Sequence, residues 1–354
     1  MKDFGKGRGA SDWPTPNRRG FLLGATALGL STVMPLRALA QDGSPSGAVI
    51  FGNAEPPTAN YWDPAAGFGL VDEQVASLVH DSLLAFDEAG EIGPGLATSW
   101  EVKSDTVVGL TLREGVKFHD GSSLTAEDVK ASIDRLGAGA LAQSMVVTPG
   151  ISVTILSPTE IEVVSPVPFG VILSSLAFIK ILPKANIDNP DNFGVAAMGT
   201  GPYKFVSYSG NDVVLEANAD YWGGAPKIAS VTFRYIEDAQ ARINALLSGQ
   251  VDILTRVSSE DLSRVEGNDE FYVNSQTPPA QIVAIYQHNG PLGDLKLRQA
   301  VAHAIDREGI AASIMRGANP VGFSSLPTSS SFYEPLEPKF EYDLEKARAL
   351  LAES

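Results

Sequence analysis

Cysteine is absent from the 354 residues. That excludes a disulfide framework, a cysteine-based zinc site, an iron–sulfur cluster and a thiol nucleophile. Basic residues are scarce as well, 26 against 42 acidic ones, for a formal charge of −16. Phosphate binding needs clustered Lys and Arg, so no nucleic-acid partner is expected. Charged residues make up only 19% and hydrophobic ones 44%, a balance that speaks against wholesale disorder. Long apolar runs are missing too. One run ends at Met34, and the other, over 167–182, is interrupted by Pro168, Ser174, Ser175 and Lys180. Neither reaches the ~20 apolar residues of a membrane span. The second reads as a buried strand plus helix.

What charge there is lies unevenly. Residues 1–40 hold six basic and two acidic groups, and the rest 20 basic against 40 acidic. The basic start runs into Asn17-Arg18-Arg19-Gly20-Phe21-Leu22-Leu23, then a small-residue apolar stretch, then Ala38-Leu39-Ala40. The last is the small-x-small pattern that a signal peptidase accepts. Arg18 and Arg19 followed by Phe21 and Leu22 resemble a twin-arginine export signal, with cleavage between Ala40 and Gln41 after Ala38. The mature chain is expected to begin near Gln41, exported by the twin-arginine translocase. Its length exceeds what one hydrophobic core fills, so two or more lobes are expected.

Alternation and helical spacing divide the mature chain. Ala48–Phe51 reads as a first strand, Glu55–Gly69 as a structured loop, and Val71, Val75, Leu78 and Val79 as one face of a helix. Thr106–Arg113 reads as a strand leading through a His119-Asp120-Gly121 turn to a helix capped by Thr125. Further strands are expected at Ile151–Leu156 and Ile161–Val164, with a hairpin of Tyr203–Tyr208 and Asp212–Ala217. Val231–Tyr235, a helix over Asp238–Leu247 with Ala239, Ile243, Leu246 and Leu247 inward, and Val251–Leu254 make a βαβ unit. Then follow a strand at Gln281–Tyr286, helices at Leu295–Ile305 and Glu308–Met315, and a terminal helix from Asp343.

Reaction machinery is not found. No nucleophile elbow, His-Glu-x-x-His, phosphate loop or strand-linked Gly-x-Gly-x-x-Gly occurs, and His80, His119, His288 and His303 are scattered. His119-Asp120 reads either as a catalytic or metal pair or as a turn that caps its own backbone. No catalytic residue, metal ligand or cofactor is assigned.

Six blocks in order resemble one family. They are Leu112–Gly121 continuing through Leu124–Val129, Gly199–Phe205, Tyr221-Trp222, Ile236–Ile253 with Ser248-Gly249-Gln250-Val251-Asp252, Leu297–Ala300 leading to Ala304–Arg307, and Tyr342–Arg348. Together the chain is similar to the extracytoplasmic solute-binding proteins of peptide-type ABC importers, the oligopeptide, dipeptide and nickel-binding type.

The resemblance implies an α/β fold of two lobes closing on a ligand, with an extra small domain in lobe 1. Lobe 1 would take residues 41–78 and 196–265, the extra domain 79–195, and lobe 2 would begin over 266–354. It implies no enzyme but a periplasmic, monomeric receptor. Such a receptor hands a small solute, an oligopeptide or dipeptide, to an ABC permease complex in the inner membrane. Alternatives are another solute (oligosaccharide, opine, heme or nickel chelate) or a secreted hydrolase.

By the same resemblance the loop after the first strand lines the cleft. Tyr61, Trp62, Phe68 and Gly69 would offer aromatic faces and backbone amides to the solute, or Tyr61 and Trp62 pack beneath the loop as a satellite core. At the end of the βαβ arm Gln250, Thr255 and Arg256 are candidate contacts. Arg256 either pairs a ligand carboxylate or is a solvated surface arginine. Tyr286 and Asn289 complete the set. The family pattern continues beyond a block like 342–348 with most of lobe 2, so the chain is expected to be a fragment or a shortened product. Residues 41–265 would then be well packed, those after about 315 loosely held, and the terminal helix's apolar face uncovered.

Overall fold

The structure, a computed structural model, describes residues 44–56, 63–67, 70–87, 90–194, 197–255, 257–266, 268–274, 290–314, 321–322, 334 and 339–354. The apolar run that starts at Ala48 forms β1 (Ala48–Asn53), and helix α1 (Leu70–Val79) follows it. Val75 and Val79 face inward at helical spacing, as that pattern requires.

The chain then enters a second sheet. Strands β2 (Leu84–Phe86) and β3 (Ile92–Pro94) pair as a short ribbon. Strands β4 (Ala97–Ser104) and β5 (Val107–Leu112) are followed by helix α2 (Ala126–Gly137) and by β6 (Ser152–Ile155) and β7 (Glu160–Val164). They form a four-stranded antiparallel sheet of order β4-β5-β7-β6. Helix α2 starts at Thr125, whose backbone N–H and hydroxyl both donate to Asp128 Oδ2, at 2.8 and 2.7 Å. Over 167–182 a helix, α3 (Ile172–Phe178), forms, with a single isolated bridge from Lys180 to Ser82 beyond it. The expected strand is absent there, because Pro166 and Pro168 remove ladder donors at the start of the run. A short α4 (Lys184–Asp188) ends this part. Val108, Leu110, Val129, Ile133, Leu136, Ile161, Val163 and Leu176 are among the buried residues of one core here.

The return to the first sheet brings β8 (Tyr203–Ser209), β9 (Asp212–Ala217), β10 (Ser230–Tyr235), α5 (Ala239–Leu247), β11 (Ile253–Leu254) and α6 (Ser259–Leu262). The sheet order is β11-β1-β10-β9-β8, with β10 and β11 both parallel to β1. The βαβ unit therefore encloses β1, inserted from far upstream. Its core is Val75, Val79, Tyr203, Val213, Leu215, Val231 and Phe233, with Phe51 stacked on Phe233 at 5.1 Å. The inner face of α5 differs from expectation. Ile243 and Ala245 are buried, while Ala239 and Leu247 are exposed, because a short helix at a sheet edge covers with its middle turn.

The last elements are α7 (Leu295–Ala304), α8 (Arg307–Ser313) and α9 (Leu344–Glu353). Asp343 caps α9 by accepting from Lys346 N at 2.9 Å. Helix α9 does find a partner: it packs on α7, burying Ala347, so its apolar face is covered in part. Leu344 and Leu351 stay exposed. The expected strand at Gln281–Tyr286 lies outside the described residues.

Candidate functional site

Parallel strands place their carboxyl ends side by side, and crevices for ligands form outside such ends. In the β1 sheet that end is marked by Asn53, the last residue of β1, and Thr255, just after β11. The Thr255 hydroxyl donates to Asn53 Oδ1 at 3.0 Å. Asn53 is 1% exposed, and its Nδ2 is covered and has no hydrogen-bond partner among the described residues. A buried amide donor left unpaired is unfavourable by roughly 1–3 kcal/mol. Beside it Ala239, Arg242, Leu254, Thr255, Ser258 and Asp261 line a small recess. Its polar groups already have partners. Arg242 donates to the carbonyls of Ile236 and Glu237 at 2.8 and 2.7 Å, and Ser258 donates to Asp261 at 2.8 Å.

Of the candidate contacts, Thr255 stands at this end. Gln250 precedes β11 on its amino side, exposed, its carbonyl within 3.5 Å of Arg234 Nη1. Tyr61, Trp62, Phe68, Gly69, Arg256, Tyr286 and Asn289 lie outside the described residues, as do Arg18, Arg19, Phe21, Leu22, Ala38, Ala40 and Gln41, the residues of the expected export signal. The described residues 63–67, between β1 and α1, are moored on the other sheet's helix: Asp63 Oδ2 meets Arg135 Nη2 at 2.6 Å.

His119 has a structural place. Its backbone N–H donates to the Gly199 carbonyl at 2.9 Å, and its ring Nε2 bonds the Gly201 carbonyl at 3.0 Å. Asp120 accepts from the backbone and hydroxyl of Ser122, at 2.9 and 2.6 Å, which holds its carboxyl below the usual range. This is the self-capping turn of the two readings. Burial lowers the His119 pKa, helped by Lys204. His80, 3% exposed, is pulled down to about 3 by burial, with smaller contributions from His119 and Lys180. His303 is buried against Phe340, its Nδ1 bonded to the Glu341 carbonyl at 2.6 Å.

Sequence reasoning missed Asp81, which accepts from Thr200 Oγ1, Tyr221 OH and Trp222 Nε1 at 2.8, 3.0 and 2.8 Å. Burial raises the Tyr221 pKa, and the Asp81 charge adds to the rise. Among the described residues no cluster of three or more His, Cys, Asp or Glu could hold a metal ion, and no helix is long and apolar enough to cross a membrane.

Residues 91–354 match the family model for bacterial extracellular solute-binding proteins, family 5. The chain is 28% identical over 286 residues to the nickel-binding protein NikA of Staphylococcus aureus, covering 77% of this chain and 55% of that protein. It is 28% identical over 304 residues to the glutathione-binding protein GsiB of Pectobacterium atrosepticum, covering 82% of this chain and 58% of that one. It thus spans little more than half the length of either relative. Among solved structures, the oligopeptide-binding protein AppA of Bacillus subtilis, in complex with a nonapeptide, superposes with a TM-score of 0.75 at 25% identity. That match covers 88% of this chain and 64% of AppA. NikZ of Campylobacter jejuni, in complex with Ni(L-His), gives 0.73 at 26% identity, covering 86% and 62%.

Proposed function

Because the chain belongs to the bacterial extracellular solute-binding proteins of family 5, we propose that it serves an ABC importer as the receptor for a small solute. In this reading it is an oligopeptide or dipeptide, delivered to the permease in the inner membrane. The protein works in the periplasm as a monomer, without catalysis, after export through the twin-arginine translocase and cleavage before Gln41. Residues 41–78 and 196–265 make lobe 1, 79–195 its extra domain, and 266–354 the start of lobe 2. Solute contacts come from Tyr61, Trp62, Phe68, Gly69, Thr255 and Arg256, with Gln250, Tyr286 and Asn289 as outer members.

The observation that carries the reading is the shared carboxyl end of β1 and β11, where Asn53 and Thr255 meet. It lies in a sheet whose chain superposes on the nonapeptide-binding AppA. An amide at such an end, its Nδ2 without a partner among the described residues, suits the carbonyl or carboxylate oxygens of a peptide. Native mass spectrometry of the full chain, purified without refolding, should show a retained peptide mass. An empty protein with no thermal shift across di- to pentapeptide mixtures would overturn the peptide assignment. The likeness to NikZ and NikA supports a second reading, a nickel chelate. The same spectra separate the two, since a nickel adduct carries its own isotope pattern.

A further inference from the structure

Residues 199–201 form a strap where the chain comes back from the second sheet to the first, and two imidazoles close on it. Gly201 N donates to the Val79 carbonyl at the end of α1 at 2.9 Å, and the Thr200 hydroxyl donates to Asp81 at 2.8 Å. From the second sheet's side, the His119 backbone N–H donates to the Gly199 carbonyl at 2.9 Å, and the ring Nε2 meets the Gly201 carbonyl at 3.0 Å. A carbonyl only accepts, so the neutral ring carries its proton on Nε2 and leaves Nδ1 bare. That Nδ1 is buried and has no partner among the described residues. His80 adjoins the same strap. A Cβ on Gly199 would lie 2.6 Å from the His80 Nδ1, which is likewise buried and without a partner among the described residues.

The charges around the rings either oppose a second proton or are already engaged. Lys180 disfavours a charged His80, and Lys204 of β8 does the same to His119. Lys180 itself pairs with Glu73 of α1 at 3.1 Å. The carboxylates that face His119 are Asp81 and Asp120. Asp81 accepts from Thr200, Tyr221 and Trp222, and Asp120 from Ser122. Each ring, once charged, also repels the other. We propose that His80 and His119 are an acid-released latch: when both take up protons, the His119 turn parts from the strap while the two sheets stay folded. The sheets have separate cores, with Leu110, Val129 and Ile161 in one and Val75, Tyr203 and Phe233 in the other, so parting the contact need not open either.

With the latch closed, His80 has a pKa of about 3 against an ordinary 6.5. Protons therefore bind the open form first, and from pH 7 to 5 opening should become roughly 25-fold more favourable through His80 alone. The test is amide-resolved hydrogen exchange by NMR on the full chain at both pH values, corrected for the pH dependence of unstructured amides. The variants are His80→Asn, His119→Gln and the two combined. Glutamine keeps an N–H for the Gly201 carbonyl, and neither replacement titrates. In the parent the amide of residue 119 should be less protected than those of β5 and β7 at both pH values, and its protection should fall about 25-fold or more at pH 5. In the double variant the fall should shrink to about twofold or less. Equal protection at residue 119 and in the two strands would mean that the contact opens only with the whole fold, which overturns the latch. An undiminished fall in the double variant would assign the effect to the carboxylates and overturns it too. If the double variant lacks the native spectrum at pH 7, the single variants decide: each should reduce the fall, and two unchanged ones refute the proposal.

Discussion

Trp222 donates its indole N–H to Asp81 over 2.8 Å, while the Arg113 guanidinium lies 4.3 Å from the same ring. Trp222 follows β9 of one sheet yet packs against the core of the other, and Asp81 stands where the chain crosses between them. Thr200 and Tyr221 bring two further donors to the same carboxylate. Three segments far apart in sequence are thus held at one point, and the crossing stays fixed relative to α1.

Removing that carboxylate leaves three donors without their acceptor. Asp81→Ala is expected to lower stability by about 3 kcal/mol, and Asp81→Asn, which keeps one acceptor oxygen, by roughly half as much. Urea unfolding followed by tryptophan fluorescence checks it. Equal midpoints for Asp81→Ala and the parent would show that the hub contributes nothing net.

The parts of the fold legible in sequence were those specified locally. The β8–β9 hairpin and the β10–α5–β11 unit show alternation, a turn at Gly210 and a stop at Gly249, and they form as expected except that β11 keeps only Ile253–Leu254 of the expected Val251–Leu254. Strand β4 was missed because its register shifts between Ala97 and Ser99 and again between Val102 and Ser104, and most of its side chains are exposed. An irregular, solvated strand carries no clean period. The candidate site was less legible for a different reason. The strand read from the sequence stops at Phe51, two residues short of Asn53, and the partners of Asp81 and Arg135 lie 72 to 141 residues away. No local pattern marks a charge whose partner arrives through tertiary packing.

Gly199 offers a sharper steric test. A Cβ built there would lie 2.0 Å from the Val79 carbonyl oxygen and 2.6 Å from His80 Nδ1. The carbonyl belongs to the end of α1 and cannot swing aside like a side chain. Gly199→Ala is expected to lower stability by about 3 kcal/mol, read as a lower urea midpoint. Gly210→Ala, in an open turn at φ 61°, should show the milder backbone penalty alone. Equal effects at the two positions would mean that the crossing relaxes freely.

The proposed twin-arginine signal would act through geometry as well as charge. Replacing Arg18 and Arg19 with Lys keeps both charges and removes the planar guanidinium pair. Uncleaved precursor is then expected to accumulate inside the cell, visible by immunoblot after fractionation. A normal periplasmic yield of product starting near Gln41 would show that the general secretory route suffices.

Acid should weaken the fold through His80. In the folded chain its pKa is about 3 against an ordinary value of 6.5, because the ring is buried beside His119 and Lys180. The unfolded chain therefore takes up the proton first as pH falls. The stabilisation from keeping His80 neutral is fully present above pH 6.5 and is lost progressively between 6.5 and about 3. At pH 4.5 the loss should reach about 3 kcal/mol, each unit below 6.5 being worth ~1.4 kcal/mol. The lowered pKa of His119 acts in the same direction. His80→Asn carries a polar group of similar reach that does not titrate, so its stability should fall less between pH 7 and 4.5. Denaturant unfolding of both proteins at the two pH values measures the difference. Parallel losses would assign the acid sensitivity to the carboxylates instead.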